Sequence, residues 1–326
     1  MKLFWWAADE GGCAFYRMHT PSAALSKLNH TSEVSLMVVP SWVRDATVVG
    51  QRVSKDGPSQ MWAELAKRNN RLVYDVDDDY FNIDAEFEES FTFYNRTDTQ
   101  AHIMENIQIA DVVTACSDVL AEQMSAYNSN VVMIPNGLPA EVLNWQRPQH
   151  EHITLGYACT KGSMPGLRMA APQIARFLDR TKANVVLHTV GVPGEVLKPI
   201  LKTDFMATDF VTGTLEYLKY IDFDVWLAPY HRSPYTHAKG ATKALEAAFL
   251  GIPIIASDIR PYRDFVRHGE TGFIVKQEHE WGKYMRLLVE DEDARREMGE
   301  RARVQATQFV AESLAPQWER VLGGGR

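Results

Sequence analysis

Short apolar runs alternate with amphipathic stretches along almost the whole chain. Each run has the length of a buried β-strand, and the stretches between them repeat their apolar positions with a helical period. This alternation is typical of βαβ units, which build parallel sheets. The pattern predicts strands at 2–8, 34–39, 46–50, 71–76, 111–115, 131–135, 153–158, 184–190, 209–212, 223–228, 252–256 and 272–275.

Helical patterns fill the intervals between these strands, and Ser117 is the expected N-cap of one of them. The segment 78–97 is acidic and aromatic without a clear period, which predicts a loop or a short helix. The end of the chain is helical only. The predicted helices lie at 20–29, 58–69, 98–109, 117–127, 279–289, 291–308 and 311–322.

The apolar pattern lapses around 139–152, which indicates a linker between two α/β domains. The sequence therefore predicts two doubly wound, Rossmann-like domains, at 1–148 and 149–308, followed by a C-terminal helix at 309–326. Ligands of open parallel sheets bind at the carboxyl ends of the strands, so we expect the two domains to face a cleft there. The last helix has a narrow apolar stripe and is expected to pack back on the first domain.

Composition agrees with two domains and narrows the choice of partners. The chain has 326 residues, about twice the usual domain size, and a formal net charge of −8. That charge argues against general binding to nucleic acids or anionic membranes, although a local basic groove would still allow such binding. Three cysteines without a CxxC pair, and no apolar segment of membrane-spanning length, favour a cytoplasmic protein without structural zinc.

One predicted helix, 239–250, carries a polar stripe formed by Lys239, Thr242, Lys243 and Glu246. Two ammonium groups near a helix N-terminus make a phosphate site, and a carboxylate one turn later can accept hydrogen bonds from sugar hydroxyls. A solvated helix face with a Lys–Glu pair explains the same spacing equally well.

The first half of the chain offers two weaker signals. Gly11-Gly12 follows the first strand and Arg17 enters the first helix, an arrangement that suits a close backbone approach to a ligand but also a simple tight turn. The fourth predicted strand ends in the acidic run 75–79. Carboxylates packed together raise one another's pKa, so one of them, Asp77 or Asp78, could act as a base; a solvated turn or a cation site are the alternatives.

The strongest segment, 239–257, contains the motif Lys-x-x-x-Lys-x-x-Glu-Ala-x-x-x-Gly-Ile-Pro-Ile-Ile-Ala-Ser. Earlier in the chain, 111–117 reads Asp-Val-Val-Thr-Ala-Cys-Ser and 134–137 reads Ile-Pro-Asn-Gly. Together these segments resemble the GT-B glycosyltransferases of the "glycosyl transferases group 1" superfamily. The resemblance covers most of the chain and is weakest at 40–70 and 78–100.

The resemblance implies a nucleotide-sugar donor site in the second half of the chain. Glu246 would bind the donor ribose, Lys243 or Lys239 the diphosphate, and the loop around Thr214 and Leu215 the base. A second group of implied positions is Lys161 for the diphosphate, Gly12 and Arg17 for phosphate or acceptor, and Asp77 and Asp78 as catalytic carboxylates. Many relatives have a further Glu eight residues before Glu246, but this sequence has Ala238 there, which leaves recognition of the transferred sugar open.

The expected function is transfer of a sugar from a nucleotide diphosphate sugar to a hydroxyl of a soluble acceptor, without a cofactor or a metal. The acceptor could be a small molecule, a glycan, a protein or a modified DNA base, the last disfavoured by the net charge. A non-catalytic nucleotide-sugar-binding protein and a sugar-nucleotide epimerase are the two alternatives. The absence of a Glu at position 238 motivates the non-catalytic alternative. The two-domain architecture that epimerases share motivates the epimerase.

Overall fold

The computed structural model describes residues 1–36, 43–148, 150–158, 160 and 164–324. The chain forms two compact units. The first unit comprises Met1–Pro139, His237–Gly240 and Gln308–Arg326, and the second comprises Ala140–Thr236 and Ala241–Thr307. The first segment of the first unit thus ends at Pro139, directly before a 3₁₀ helix at Ala140–Asn144, whereas the sequence pattern places this boundary at 148.

The first unit contains a parallel six-stranded sheet. Its strands are β1 (Lys2–Trp6), β2 (Thr31–Ser35), β3 (Thr47–Gln51), β4 (Arg71–Val76), β5 (Val112–Ala115) and β6 (Val131–Met133). Its helices between strands are α1 (Gly12–Ala14), α2 (Thr20–Ser26), α3 (Asp56–Ala66), α4 (Glu88–Tyr94), α5 (Thr97–Ile109) and α6 (Asp118–Met124). The strand order β2-β1-β3-β4-β5-β6 reverses between β1 and β3, as in doubly wound sheets.

The second unit contains another parallel six-stranded sheet. Its strands are β7 (Ile153–Ala158), β8 (Val185–Val190), β9 (Met206–Thr208), β10 (Val225–Ala228), β11 (Ile254–Ser257) and β12 (Gly272–Val275). Its helices are α7 (Met164–Arg180), α8 (Gly194–Leu201), α9 (Thr214–Leu218), α10 (Pro234–Ala238, whose last two residues belong to the first unit), α11 (Thr242–Phe249), α12 (Arg260–Phe265), α13 (His279–Glu290) and α14 (Glu292–Ala306). The strand order is β12-β11-β10-β7-β8-β9. Within the described ranges, no helix is both long and apolar enough to cross a membrane.

The last helix, α15 (Ala311–Gly323), packs on the sheet of the first unit. Leu314, Trp318 and Leu322 lie on its apolar stripe and are buried together with Leu3 and Trp5 of β1. The Trp5 and Trp318 rings meet edge to face at 5.4 Å between centroids. The first sheet is thus the apolar partner that the stripe requires, and burial of these side chains against it stabilises the packing of α15.

These sheets confirm the predicted fold class, and most strands lie within a few residues of their predicted positions. The predicted strand 209–212 is wrong. The strand is Met206–Thr208, because its register with β8 pairs His188 with Met206, and Phe210 in the predicted run is 67% exposed. The predicted strand 34–39 overlaps β2 at 34–35, and its positions 37–39 lie outside the described residues. Ser117 caps α6 as predicted, accepting a hydrogen bond from the backbone N–H of Leu120.

Gly156 of β7 lies directly against the ring of Phe223, which is fully buried. A methyl group at this position would overlap the ring, so Gly156→Ala is expected to lower the free energy of unfolding by about 1–3 kcal/mol. Chemical denaturation measures this change. Gly282→Ala is the matched control, because an added methyl there meets nothing within 4 Å and α13 should gain about 0.5–1 kcal/mol from the better helix former. Equal stability of both variants would contradict the packing described for Gly156.

Candidate functional site

The second sheet has a switch point between its neighbouring strands β7 and β10, from which the chain continues to opposite sides of the sheet. Ligands of open parallel sheets bind outside the carboxyl ends of the strands at such a point. Lys243 lies in the first turn of α11. Its Nζ is 5.3 Å from the ring centroid of Tyr157, near the end of β7, and 5.1 Å from that of Tyr230, which follows β10. The structure therefore brings the predicted phosphate-binding lysine to the switch point.

Glu246 lies one turn further along α11 and is only 6% exposed. A buried carboxylate is costly unless hydrogen bonds compensate it. The hydroxyl of Tyr217 donates such a bond to Oε2 of Glu246 at 3.2 Å. Lys243 and Glu246 thus share one helix, with the ammonium nearer its N-terminus, where the helix dipole also favours an anion.

The predicted base-binding residues Thr214 and Leu215 form the first turn of α9. Gly213 precedes them with φ +88°, a left-handed conformation that glycine adopts without strain. Tyr217 belongs to the same short helix, so the Tyr217–Glu246 hydrogen bond ties this loop to α11. The structure therefore brings together four of the predicted donor residues, Thr214, Leu215, Lys243 and Glu246, within the second unit.

Lys239 is not on the same helix as Lys243, so the predicted single stripe over 239–250 is wrong. α10 ends at Ala238 and α11 begins at Thr242, which leaves Lys239, Gly240 and Ala241 between the two helices. Lys239 belongs to the first unit, where its Nζ lies 2.7 Å from Oδ1 of Asp78. Both side chains are partly exposed, at 17% and 22%. One predicted donor residue is thus paired with one predicted catalytic residue.

Asp77 directly follows β4 in the first sheet and is held by several groups. Gln51 and Arg52, at the end of β3, each donate to Oδ2 of Asp77 at 3.4 Å, and the hydroxyl of Tyr80 donates to Oδ1. Burial acts to raise the pKa of Asp77, but the Arg52 charge and the hydrogen bonds from Cys13 and Tyr80 outweigh it and lower that pKa. This direction is opposite to the one expected from packed carboxylates, and a carboxylate with a lowered pKa is a weaker base.

Burial and the charge of Asp77 raise the pKa of the Cys13 thiol well above its usual value. The thiol therefore stays protonated beside the Asp77 carboxylate, to which it can donate.

Arg17 lies on a π-helical turn between α1 and α2 and is 1% exposed. Its guanidinium donates to both carboxylate oxygens of Asp75, at 2.7–3.2 Å, and to the carbonyl oxygen of Ile134 at 2.6 Å. The guanidinium also lies 5.2 Å from the ring centroid of Trp318. These contacts place Arg17 inside the first unit, bridging the ends of β4 and β6, rather than on a surface that faces a ligand.

Burial raises the pKa of Asp75, and Arg17 and the hydroxyl of Thr114 offset only part of that rise. The Asp79 carboxylate accepts hydrogen bonds from a different set of groups, the side-chain amides of Asn82 and Gln123. The carboxylates of the run 75–79 thus point to separate partners and do not converge. In the part of the chain that the structure describes, no group of three or more His, Cys, Asp or Glu side chains is arranged to hold a metal ion.

The two remaining predicted site residues are Gly12 and Lys161. Gly12 is exposed and opens α1, after a turn in which the Asp9 carboxylate accepts from the backbone N–H of Gly11. Lys161 lies outside the described residues.

Residues 214–305 match the family model described as glycosyl transferases group 1. The matched segment contains α9 and α11, and with them the four predicted donor residues of the second unit. The resemblance inferred from the motifs is therefore confirmed. A search of the curated proteins finds no significant match to this chain.

Solved structures of glycosyltransferases share the architecture of the whole chain. Similar ones are sucrose-phosphate synthase from Thermosynechococcus elongatus (14% identity, TM-score 0.70, 98% of each chain), a glycosyltransferase from Rickettsia africae ESF-5 (12%, 0.70, 98% of this chain and 97% of that one) and Anabaena HepE in complex with UDP-glucose (13%, 0.70, 100% of each). At these identities the likeness shows the fold. The chain has the GT-B fold that its sequence predicts.

Sequence reasoning missed the residues that surround the predicted site residues. Tyr217, Tyr157 and Tyr230 contact Glu246 or Lys243, and Arg52 contacts Asp77. The signal that could have found them is position, since Tyr157 lies near the end of one predicted strand and Tyr230 follows another. Nothing in the spacing of Tyr217 or Arg52 links them to partners 29 and 25 residues away.

Proposed function

We propose that this protein is a glycosyltransferase that moves a sugar from a nucleotide diphosphate sugar to a hydroxyl of a soluble acceptor. The observation that carries the proposal is the placement of Lys243 and Glu246 on one helix at the switch point of the second sheet. An ammonium suits the diphosphate, and a buried carboxylate suits the ribose diol. The Anabaena relative, solved with UDP-glucose, supports this assignment by its fold.

Catalysis would depend on charge neutralisation and positioning. In the reaction the bond between the anomeric carbon and the β-phosphate oxygen breaks, and the acceptor oxygen forms the new bond and loses its proton. Lys243 and the N-terminus of α11 would stabilise the charge that develops on the leaving diphosphate. Lys239 stays a second candidate for this task.

Asp78 is the better candidate of the two predicted catalytic carboxylates. Asp77 is buried, fully engaged by Arg52 and Tyr80, and has a lowered pKa. Asp78 is partly exposed, and its pairing with Lys239 holds it in place. We therefore propose that Asp78 or the leaving phosphate itself takes the acceptor proton, the second route applying if the anomeric configuration is retained.

The acceptor we propose is uncharged or cationic. The segment that follows β4 carries five carboxylates that are partly or fully exposed, Asp78, Asp84, Glu86, Glu88 and Glu89, and the whole chain has a net charge of −8. Such a surface repels polyanions, which weighs against DNA as the acceptor. The cysteine usage supports a cytoplasmic location for this reaction.

Activity is expected to survive EDTA, because lysines supply the positive charge that the leaving diphosphate needs. No added cofactor should be required. The measurement is turnover before and after exhaustive chelation, with Mg²⁺ and Mn²⁺ added back separately. Loss of turnover in EDTA that either ion restores would contradict this prediction and return attention to the carboxylates at 75–79.

The function itself is tested by incubating the protein with a panel of UDP-, GDP- and ADP-sugars and identifying the products. A glycosyltransferase releases nucleoside diphosphate, slowly with water as the acceptor and faster with a true acceptor. Binding without any turnover would favour a non-catalytic nucleotide-sugar-binding protein. An intact nucleotide-sugar with one inverted centre would identify an epimerase.

A further inference from the structure

Tyr217 contacts Glu246 from another element with a predicted role. It lies on α9, next to Thr214 and Leu215, and its hydroxyl donates to Oε2 of Glu246 at 3.2 Å. Glu246 is almost completely buried, and Tyr217 is half-buried. The bond therefore forms where water competes little for the carboxylate, which strengthens it.

A glutamate side chain has three rotatable bonds, and holding it in one conformation costs conformational entropy. A hydrogen bond that is already present before the ligand arrives removes that cost from binding, which is the usual benefit of preorganisation. The tyrosine is suited to this task because its rigid ring fixes the hydroxyl with few torsions.

We propose that Tyr217 is a positioning residue that holds Glu246 ready for the ribose hydroxyls. The inference rests on the proposed function. It adds that recognition of the base and recognition of the ribose are coupled, because Tyr217 lies on the same helix as Thr214 and Leu215. Disturbing α9 should then weaken the ribose contact even where the base contacts persist. The alternative is that Tyr217 only packs α9 against α11.

The test is a set of calorimetric titrations with UDP, GDP and ADP, continued with whichever binds and with its 2′-deoxy and 3′-deoxy forms. Tyr217→Phe keeps the ring and removes only the hydroxyl. It is expected to weaken binding of the ribonucleotide about three- to tenfold, as the loss of one hydrogen bond does. Binding of the deoxy form that lacks the hydroxyl held by Glu246 should change less than about twofold. In a Glu246→Ala background, Tyr217→Phe should have no further effect.

Tyr220→Phe is the matched control, because Tyr220 lies three residues later and is 47% exposed. Thermal unfolding of each variant shows that the fold is retained. A wild-type protein that binds none of the three nucleotides would overturn the proposed function. Two results would overturn the positioning role while the proposed function stands, provided that the wild type binds a nucleotide. In the first, Tyr217→Phe binds that nucleotide as tightly as the wild type. In the second, Tyr217→Phe weakens binding of the ribonucleotide and of both deoxy forms equally, and does so in the Glu246→Ala background as well.

Discussion

Replacing Lys243 by alanine is expected to weaken nucleoside diphosphate binding about 10- to 100-fold, which corresponds to roughly 1.5–3 kcal/mol. The ammonium lies at the first turn of α11 between the Tyr157 and Tyr230 rings, at the switch point of the second sheet. Its loss would remove the charge-assisted contact to the diphosphate that we propose, and no other described residue of the second unit is a predicted diphosphate ligand. Calorimetry with the nucleotide that binds the wild type measures the change.

Folding should be affected little, because Lys243 is half-buried and its removal opens no core cavity. Lys283→Ala is the matched control: this lysine is also on a helix of the second unit, with Nζ 5.1 Å from the ring centroid of Tyr284, but far along the chain from α11. Equal affinity of the Lys243→Ala variant and the wild type would mean that α11 presents only a solvated face and that the donor site is misplaced.

Replacing Arg17 by methionine is expected to lower the free energy of unfolding of the first unit by about 3–5 kcal/mol. The substitution leaves the carboxylate of Asp75 buried without its cation and removes the hydrogen bond to the carbonyl oxygen of Ile134. It also removes the contact with the Trp318 ring of α15. Denaturation followed by circular dichroism measures the loss.

The deficit of this variant should shrink as the pH falls from 7 towards 5. Burial already raises the pKa of Asp75 in the folded protein, and without Arg17 nothing of comparable strength opposes that rise. The folded state then binds more protons than the unfolded state between the ordinary pKa of about 4 and the raised one, so stability increases as the pH decreases. Asp75→Asn in the Arg17→Met background should remove this pH dependence.

Arg96→Met provides the control, because Arg96 also makes a two-pronged ion pair with an aspartate in the first unit but both side chains are more than half exposed. Exposed pairs contribute little, so its unfolding transition should stay near that of the wild type. Similar transitions for the Arg17 and Arg96 variants would contradict the structural role assigned to Arg17.

The strand positions could largely be predicted from the sequence, because buried parallel strands require continuous apolar runs. β4 and β7, for example, have the predicted bounds. The position of β9 could not be predicted, because the strand has only three residues, two of them exposed, and its position depends on pairing with β8. Short edge strands carry too few buried side chains to mark themselves in a pattern.

The candidate site shows the same limit. Lys243 and Glu246 could be predicted because both lie on one helix, where spacing alone sets the face. The pattern predicts Lys239 on that helix because it gives no sign of the break before Thr242. Arg17 was expected to bind a ligand because nothing near it in the sequence indicates its partner Asp75, which is 58 residues away. Pairings over such distances depend on how strands assemble, which no local pattern specifies.

The most direct test of the donor site is a crystal structure of the protein with the nucleoside diphosphate that binds it best. We expect electron density for the ribose hydroxyls within hydrogen-bond distance of the Glu246 carboxylate and for the diphosphate beside Lys243. Density for the nucleotide elsewhere on the protein, with Glu246 and Lys243 untouched, would contradict it.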